Sequence, residues 1–120
     1  MKRDMDLLRR IMLYLEDSYN AGDGTIPVCI PGIPPEEVWE HCRLLYQSSF
    51  IESFEDASDG FGTGCRSGCL TSAGYEFLSL IHDDEEWEAI RKAVAERKLP
   101  LSISSIEAVS GYLLSISLRI

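Results

Sequence analysis

Residues 25–35 read "TIPVCIPGIPP", and the four prolines in this stretch constrain the fold more than any other feature of the chain. Each proline fixes its own φ and removes a backbone donor, so no helix runs through here and a strand is tolerated only at a sheet edge. The segments on both sides are helical in pattern. From Asp4 to about Tyr19, apolar residues recur at Met5, Leu8, Met12 and Leu15, with Leu7, Ile11 and Tyr14 widening the stripe. "NAGDG" ends this first helix with residues that accept turn conformations. Thr25 to Ile30 then reads as a short edge strand. Pro34 and Pro35 stand where a second helix begins, and Glu36 and Glu37 suit the positive end of its dipole. That helix runs to about Ser49.

Within it Val38, Cys42 and Leu45 share one face, with Trp39 and Tyr46 at its edges, while Glu36, Glu40, Arg43 and Gln47 share the other. "FIESFE" alternates as a half-buried strand does, "DASDGFGTG" predicts a mobile hairpin tip, and "CRSGCL" is the returning strand. Thr71 or Ser72 supplies an N-cap before a helical face of Ala73, Phe77, Leu78 and Ile81. "HDDEEWEAIRKAVAERK" opens with acid and closes with base, places Asp83 and Glu86 at capping-box spacing, and buries Trp87, Ile90 and Val94. Leu99-Pro100 breaks it. Ser104 and Glu107 offer a second capping box before a last helix with Ile106, Val109, Leu113 and Ile116 on one face. Leu114, Leu118 and Ile120 make that helix apolar almost all round, which suits either a core position or an interface with a second subunit.

A chain of 120 residues is long enough for one modest core, so the organisation expected is a core over residues 1–82 with a C-terminal helical extension, 83–120, packed on the same domain. Twenty acidic residues against eleven basic ones give a formal charge of -9, which opposes attraction to nucleic acid or anionic lipid. The first residues interleave charge with apolar side chains unlike a signal peptide, and no apolar run reaches membrane-spanning length. A cytoplasmic protein without membrane contact is expected, in which Cys29, Cys42, Cys65 and Cys69 are reduced thiols.

The order helix, strand, helix, strand, tip, strand, helix is that of a winged-helix domain. The fold class expected is therefore mainly helical α+β: a winged-helix-like domain with a small three-stranded antiparallel sheet and extra C-terminal helices. The proline-rich stretch replaces the usual middle helix, leaving the helix-turn-helix incomplete. "MKRDMDLLR", the block "HCRLLYQSSFI" with His41, Leu44, Leu45 and Ile51, "LTSAGYEFL" from Leu70 to Leu78, and Trp87 together resemble domain of unknown function 2513, an uncharacterised bacterial and phage family. The resemblance covers roughly the first ninety residues. The family commonly has histidine where this chain has Tyr75, and the cysteine-bearing hairpin is not its hallmark. The resemblance implies a small cytoplasmic, often prophage-borne, winged-helix-like protein of unassigned activity and supplies no catalytic residues.

The side chains weigh against chemistry. A structural zinc site wants four soft ligands in close pairs, and only Cys65 and Cys69 form one; His41 and Cys42 point about 100 degrees apart on a helix. A catalytic cysteine would need a neighbouring base, and only His41, beside a core stripe, and His82, at a helix end, are present. No phosphate loop, paired His-Glu motif or nucleophile elbow occurs. No enzyme and no cofactor are expected.

The fold's analogy to DNA readers meets a hairpin with Glu52, Glu55, Asp56 and Asp59 against one Arg66, a surface that repels phosphate. Lys2, Arg3, Arg9 and Arg10, and Arg91, Lys92, Arg97 and Lys98, read as solvated faces or dipole complements. The expectation is a protein-interaction or assembly module of unknown partner, with a winged-helix DNA-binding transcriptional regulator as the alternative. Trp39, Glu40, Arg43, Gln47 and Arg66 form the candidate partner or DNA surface. Ile106, Val109, Leu113 and Ile116 form the candidate homodimer face.

Overall fold

Asp4 starts the first helix as its sequence predicts: the carboxylate accepts from the Leu7 amide at 3.2 Å, satisfying a donor that a helix start leaves open. The computed structural model describes residues 2–118, and helix α1 spans Met5–Ser18. Its stripe of Leu7, Leu8, Ile11, Met12 and Leu15 is buried, each worth about 1.5–3 kcal/mol over the exposed side chain. Among the described residues there are five helices and three short strands, and the fold is mainly helical α+β.

The proline-rich stretch contributes only a two-residue strand, β1 (Ile26–Pro27), instead of the six residues expected. Val28 still donates to the Cys65 carbonyl at 3.2 Å, but Cys29 turns to solvent and a turn closes from Ile30 to Ile33. Residues 19–34 hold no helix, so the middle helix of a complete helix-turn-helix is absent. Helix α2 (Pro35–Gln47) buries Val38, His41, Cys42 and Leu45. His41, with 1% of its surface exposed, accepts the Asp4 amide on Nε2 at 2.9 Å and donates from Nδ1 to the Glu37 carbonyl at 2.7 Å. It is a structural clamp that ties the cap of α1 to α2.

Strands β2 (Phe54–Asp56) and β3 (Cys65–Ser67) form the hairpin, and the antiparallel order is β1-β3-β2. Phe54 faces Ser67, Glu55 faces Arg66 and Asp56 faces Cys65. Both strands are shorter than "FIESFE" and "CRSGCL" imply. The ladder is interrupted where Gly68 lies against Ser53, and resumes as an isolated bridge between Ile51 and Leu70. Thr71 then caps α3 (Ser72–Ile81), its hydroxyl accepting from the Gly74 amide at 3.0 Å.

The chain divides into two compact units, Met1–Glu76 and Phe77–Ile120, with the division inside α3. The second unit contains α4 (Asp84–Glu96) packed on α5 (Ile103–Leu118). Trp87, Ile90, Ala93 and Val94 are buried on α4, as its periodicity requires. Asp83 caps α4 through the Glu85 amide at 3.3 Å rather than through Glu86. Lys98 adopts a left-handed φ of 55°, and Lys98 and Leu99 donate to the Ala95 and Val94 carbonyls, a Schellman ending. The second capping box lies at Ser102 and Ser105, which exchange hydroxyl and amide bonds at 3.0 and 3.2 Å, not at Ser104 and Glu107. The Ser105 hydroxyl, held by the Pro100 carbonyl, fixes this register.

Candidate functional site

The candidate surface is built where α2 meets the hairpin. Trp39 and Cys42 are three residues apart on α2 and therefore neighbours on its surface. Asp56 and Cys65 are the directly opposed pair at the loop end of the β2–β3 ladder. Trp39 is half-buried, meets Phe54 edge-on at 5.1 Å and 82°, and donates from Nε1 to Asp56 Oδ1 at 3.1 Å. The indole thus braces helix to hairpin. Asp56 also accepts from the Ser58 amide at 3.0 Å; Ser58 first, then Trp39, holds its carboxyl below the ordinary carboxylate value.

The other expected surface residues separate. Arg43 and Gln47 are exposed on α2 and Glu40 is half-buried. Arg66 donates from Nε to Thr25 Oγ1 at 3.0 Å and from Nη2 to the Thr25 carbonyl at 2.8 Å, tying β3 to the approach to β1. The one basic side chain of the hairpin is thereby held away from an incoming phosphate. Four arginines of the basic clusters have local surroundings of their own. Arg9 is buried, Arg10 reaches the Pro31 carbonyl at 3.4 Å, Arg91 pairs with Glu88 at 3.4 Å, and Arg97 lies 4.7 Å over the Tyr112 ring.

The hairpin tip, which its glycines suggest as a mobile loop, carries hydrogen bonds of its own. Asp59 Oδ1 accepts from the amides of Phe61 and Gly62 at 2.8 and 3.2 Å, and the Asp59 amide donates to the Gly62 carbonyl at 2.9 Å. Ser58 Oγ accepts from the Gly64 amide at 3.2 Å below it. The turn presents Phe61 with its whole side chain in solvent, at 101% relative exposure. Sequence reasoning missed this residue; the signal was an apolar ring in "DGFGTG" two residues after an aspartate that can cap a turn.

In the second unit Ile106 and Val109 are buried, at 0% and 2% exposure, so they belong to the chain's own core and not to a dimer face. An apolar helix gives no periodic cue as to which side faces inward. Leu113 is half-buried, and the side chain of Ile116 lies outside the described residues. Leu113 lines, with Leu80, Ala89, Ile90 and Leu114, an apolar groove of about 450 Å³; Leu114 is 62% exposed.

Among the described residues no helix is long and apolar enough to cross a membrane, and no group of three or more His, Cys, Asp or Glu side chains is placed to hold a metal ion. Cys65 is buried at the start of β3 and Cys69 is half-buried beyond it. A family model described as "Hypothetical protein (DUF2513)" matches residues 2–100. The chain belongs to this family. It is also 31% identical over 115 residues to an uncharacterised protein of Haemophilus influenzae, covering 96% of this chain and 97% of that one. No solved structure matches, so the winged-helix comparison rests on element order and strand pairing alone.

Proposed function

We propose that this DUF2513 protein is a non-enzymatic interaction module that engages a partner protein through the tip of the β2–β3 hairpin. One observation carries the reading: a fully exposed phenylalanine on a turn held in shape by Asp59. A large apolar ring in solvent gains about 1.5–3 kcal/mol on burial, and a tip already fixed by hydrogen bonds loses little conformational freedom in binding. The same hairpin carries Glu55, Asp56 and Asp59, all exposed, so the complementary surface is an apolar pocket with a basic rim. The reading includes the cytoplasmic, prophage-borne setting that the sequence resemblance implies, and a homodimer seated on the apolar groove at Leu113 and Leu114.

The alternative, a DNA-binding transcriptional regulator, would use the exposed Arg43 and Gln47 of α2 against a hairpin whose only arginine is bound to Thr25. A photo-crosslinking amino acid at position 61, in the producing cell, separates the two. The expected result is an adduct with one defined protein, absent with the crosslinker at exposed Asp17 and lost when Glu55→Lys, at an exposed position outside the turn, reverses charge on the rim. No protein adduct, together with salt-sensitive binding of mixed-sequence duplex DNA, would replace the module reading with the regulator.

A further inference from the structure

Helix α2 packs on the middle strand β3, and this contact brings two cysteines together that are far apart in sequence. Cys42 lies on the inward face of α2 with no exposed surface, and Cys65 opens β3 with 4% exposed. Trp39, one turn before Cys42, bonds Asp56, and Asp56 stands opposite Cys65 in the register, so both buried thiols are carried to one junction. Hydrogen bonding toward Cys65 raises the Cys42 thiol well above its ordinary value, burial adding to the effect. It lowers Cys65, against the opposing effects of burial and of the Asp56 charge. The two sulfurs differ in access as well. Cys65 lines a cleft of about 290 Å³, bordered by Cys29, Ile30, Val38 and Thr63, whereas Cys42 is not among the residues lining it. One thiol therefore borders a cleft that a small molecule can enter and is inclined to ionise, and a second, protonated thiol lies at the same junction away from that cleft.

We propose that Cys42 and Cys65 are a redox pair that closes to a disulfide on reaction with a hydroperoxide, Cys65 being attacked first and Cys42 resolving. The Cys65 thiolate attacks one peroxide oxygen, the O–O bond breaks, and the departing hydroxide or alkoxide takes up a proton, leaving a sulfenic acid on Cys65. The Cys42 sulfur then attacks the Cys65 sulfur; the S–S bond forms, the S–O bond breaks, and hydroxide leaves as water with the proton from Cys42. Two thiols lose two electrons and the peroxide gains them. A low-molecular-weight thiol, itself ending as its disulfide, reverses the step by thiol–disulfide exchange. Closure brings the two sulfurs of this one junction to the bonding distance of about 2.0 Å. The bond would link α2 to the loop end of the β2–β3 ladder beside the Trp39–Asp56 brace, making that junction covalent.

The experiment treats the folded, reduced full-length protein with hydrogen peroxide, alkylates the remaining thiols under denaturing conditions, and maps linkages by peptide mass spectrometry. The expected result is a mass lower by about 2 Da, a single 42–65 linkage, and recovery of both thiols with glutathione. Cys29→Ser and Cys69→Ser should leave the linkage intact. Cys42→Ala should accumulate a sulfenic acid on Cys65, trapped by a dione reagent. The wild-type mapping needs no variant, so a poorly folded Cys42→Ala does not spare the proposal. A linkage joining Cys65 to Cys29 or Cys69, or thiols that survive peroxide unchanged, would overturn it.

Discussion

Replacing Gly74 with alanine should destabilise the protein, although the same exchange in a helix ordinarily stabilises it by about 1 kcal/mol. Gly74 is in the first turn of α3, and a Cβ built there would overlap the Phe50 carbonyl oxygen, with the carbonyl carbon at 3.1 Å and Cα at 3.3 Å. The obstacle is backbone and it is pinned. The Phe50 amide donates to the Leu45 carbonyl at 2.9 Å, its carbonyl accepts from the Thr71 amide at 3.0 Å, and Thr71 Oγ1 donates to the Ser49 carbonyl at 2.6 Å. Overpacking of this kind costs about 1–3 kcal/mol. Moving Phe50 aside also weakens the Thr71 bond, for about 0.5–1.5 kcal/mol more. After the propensity gain is subtracted, a net loss of about 2 kcal/mol remains, which lowers the melting temperature by about 8 °C. Gly111 provides the contrast: it is on α5, exposed, and a Cβ there meets nothing within 4 Å, so Gly111→Ala should gain about 0.5–1 kcal/mol. Urea unfolding followed by circular dichroism reads both variants. A Gly74→Ala midpoint at or above wild type would refute the packing argument.

Two further outcomes follow from the same geometry. The Asp56 carboxyl is held below its ordinary value, so its contribution to stability is complete above the unfolded carboxylate's range, about pH 4, and disappears as pH falls through the lowered folded value. Asp56→Asn should therefore flatten the acid limb of urea midpoint against pH, and an unchanged limb would remove Asp56 from it. If the groove at Leu113 and Leu114 seats a second copy, wild type should sediment as a dimer and Leu114→Glu as a folded monomer; wild-type monomer at high protein concentration would refute the dimer.

The helices were legible because their cues are local. The stripes of α1 and α4, the dipole-matched acids of α2 and the cap at Thr71 are each written within a few residues. So was the hairpin's place in the chain. What escaped depends on contacts between distant segments or on competition between near-equivalent neighbours. Ser102 and Ser104 are equally good capping residues, and the Pro100 carbonyl that holds Ser105 selects the first. Ile106 and Val109 stand on a helix apolar all round, where only the packing of α4 decides which side is core. Spacing in sequence pairs Cys65 with Cys69, yet along a strand and its continuation no spacing reports what the helix above contributes, and that is Cys42.

The junction of α2 and the hairpin shows how these levels combine. A helix brings residues three apart onto one patch, and an antiparallel register sets two residues directly opposite each other. Here the patch is Trp39 and Cys42, the opposed pair is Asp56 and Cys65, and the two couples meet as Trp39 with Asp56 and Cys42 with Cys65. The loop end of the β2–β3 ladder is thus held to the helix by the Trp39–Asp56 hydrogen bond, beside the two thiols of the proposed redox pair. The turn at Asp59 has its own bonds, so the orientation of Phe61 relative to α2 is set chiefly where the ladder ends. This hold gives a short, three-residue strand pair the rigidity to present an apolar anchor in water, which neither the small sheet nor the glycine-rich sequence of the tip would supply by itself.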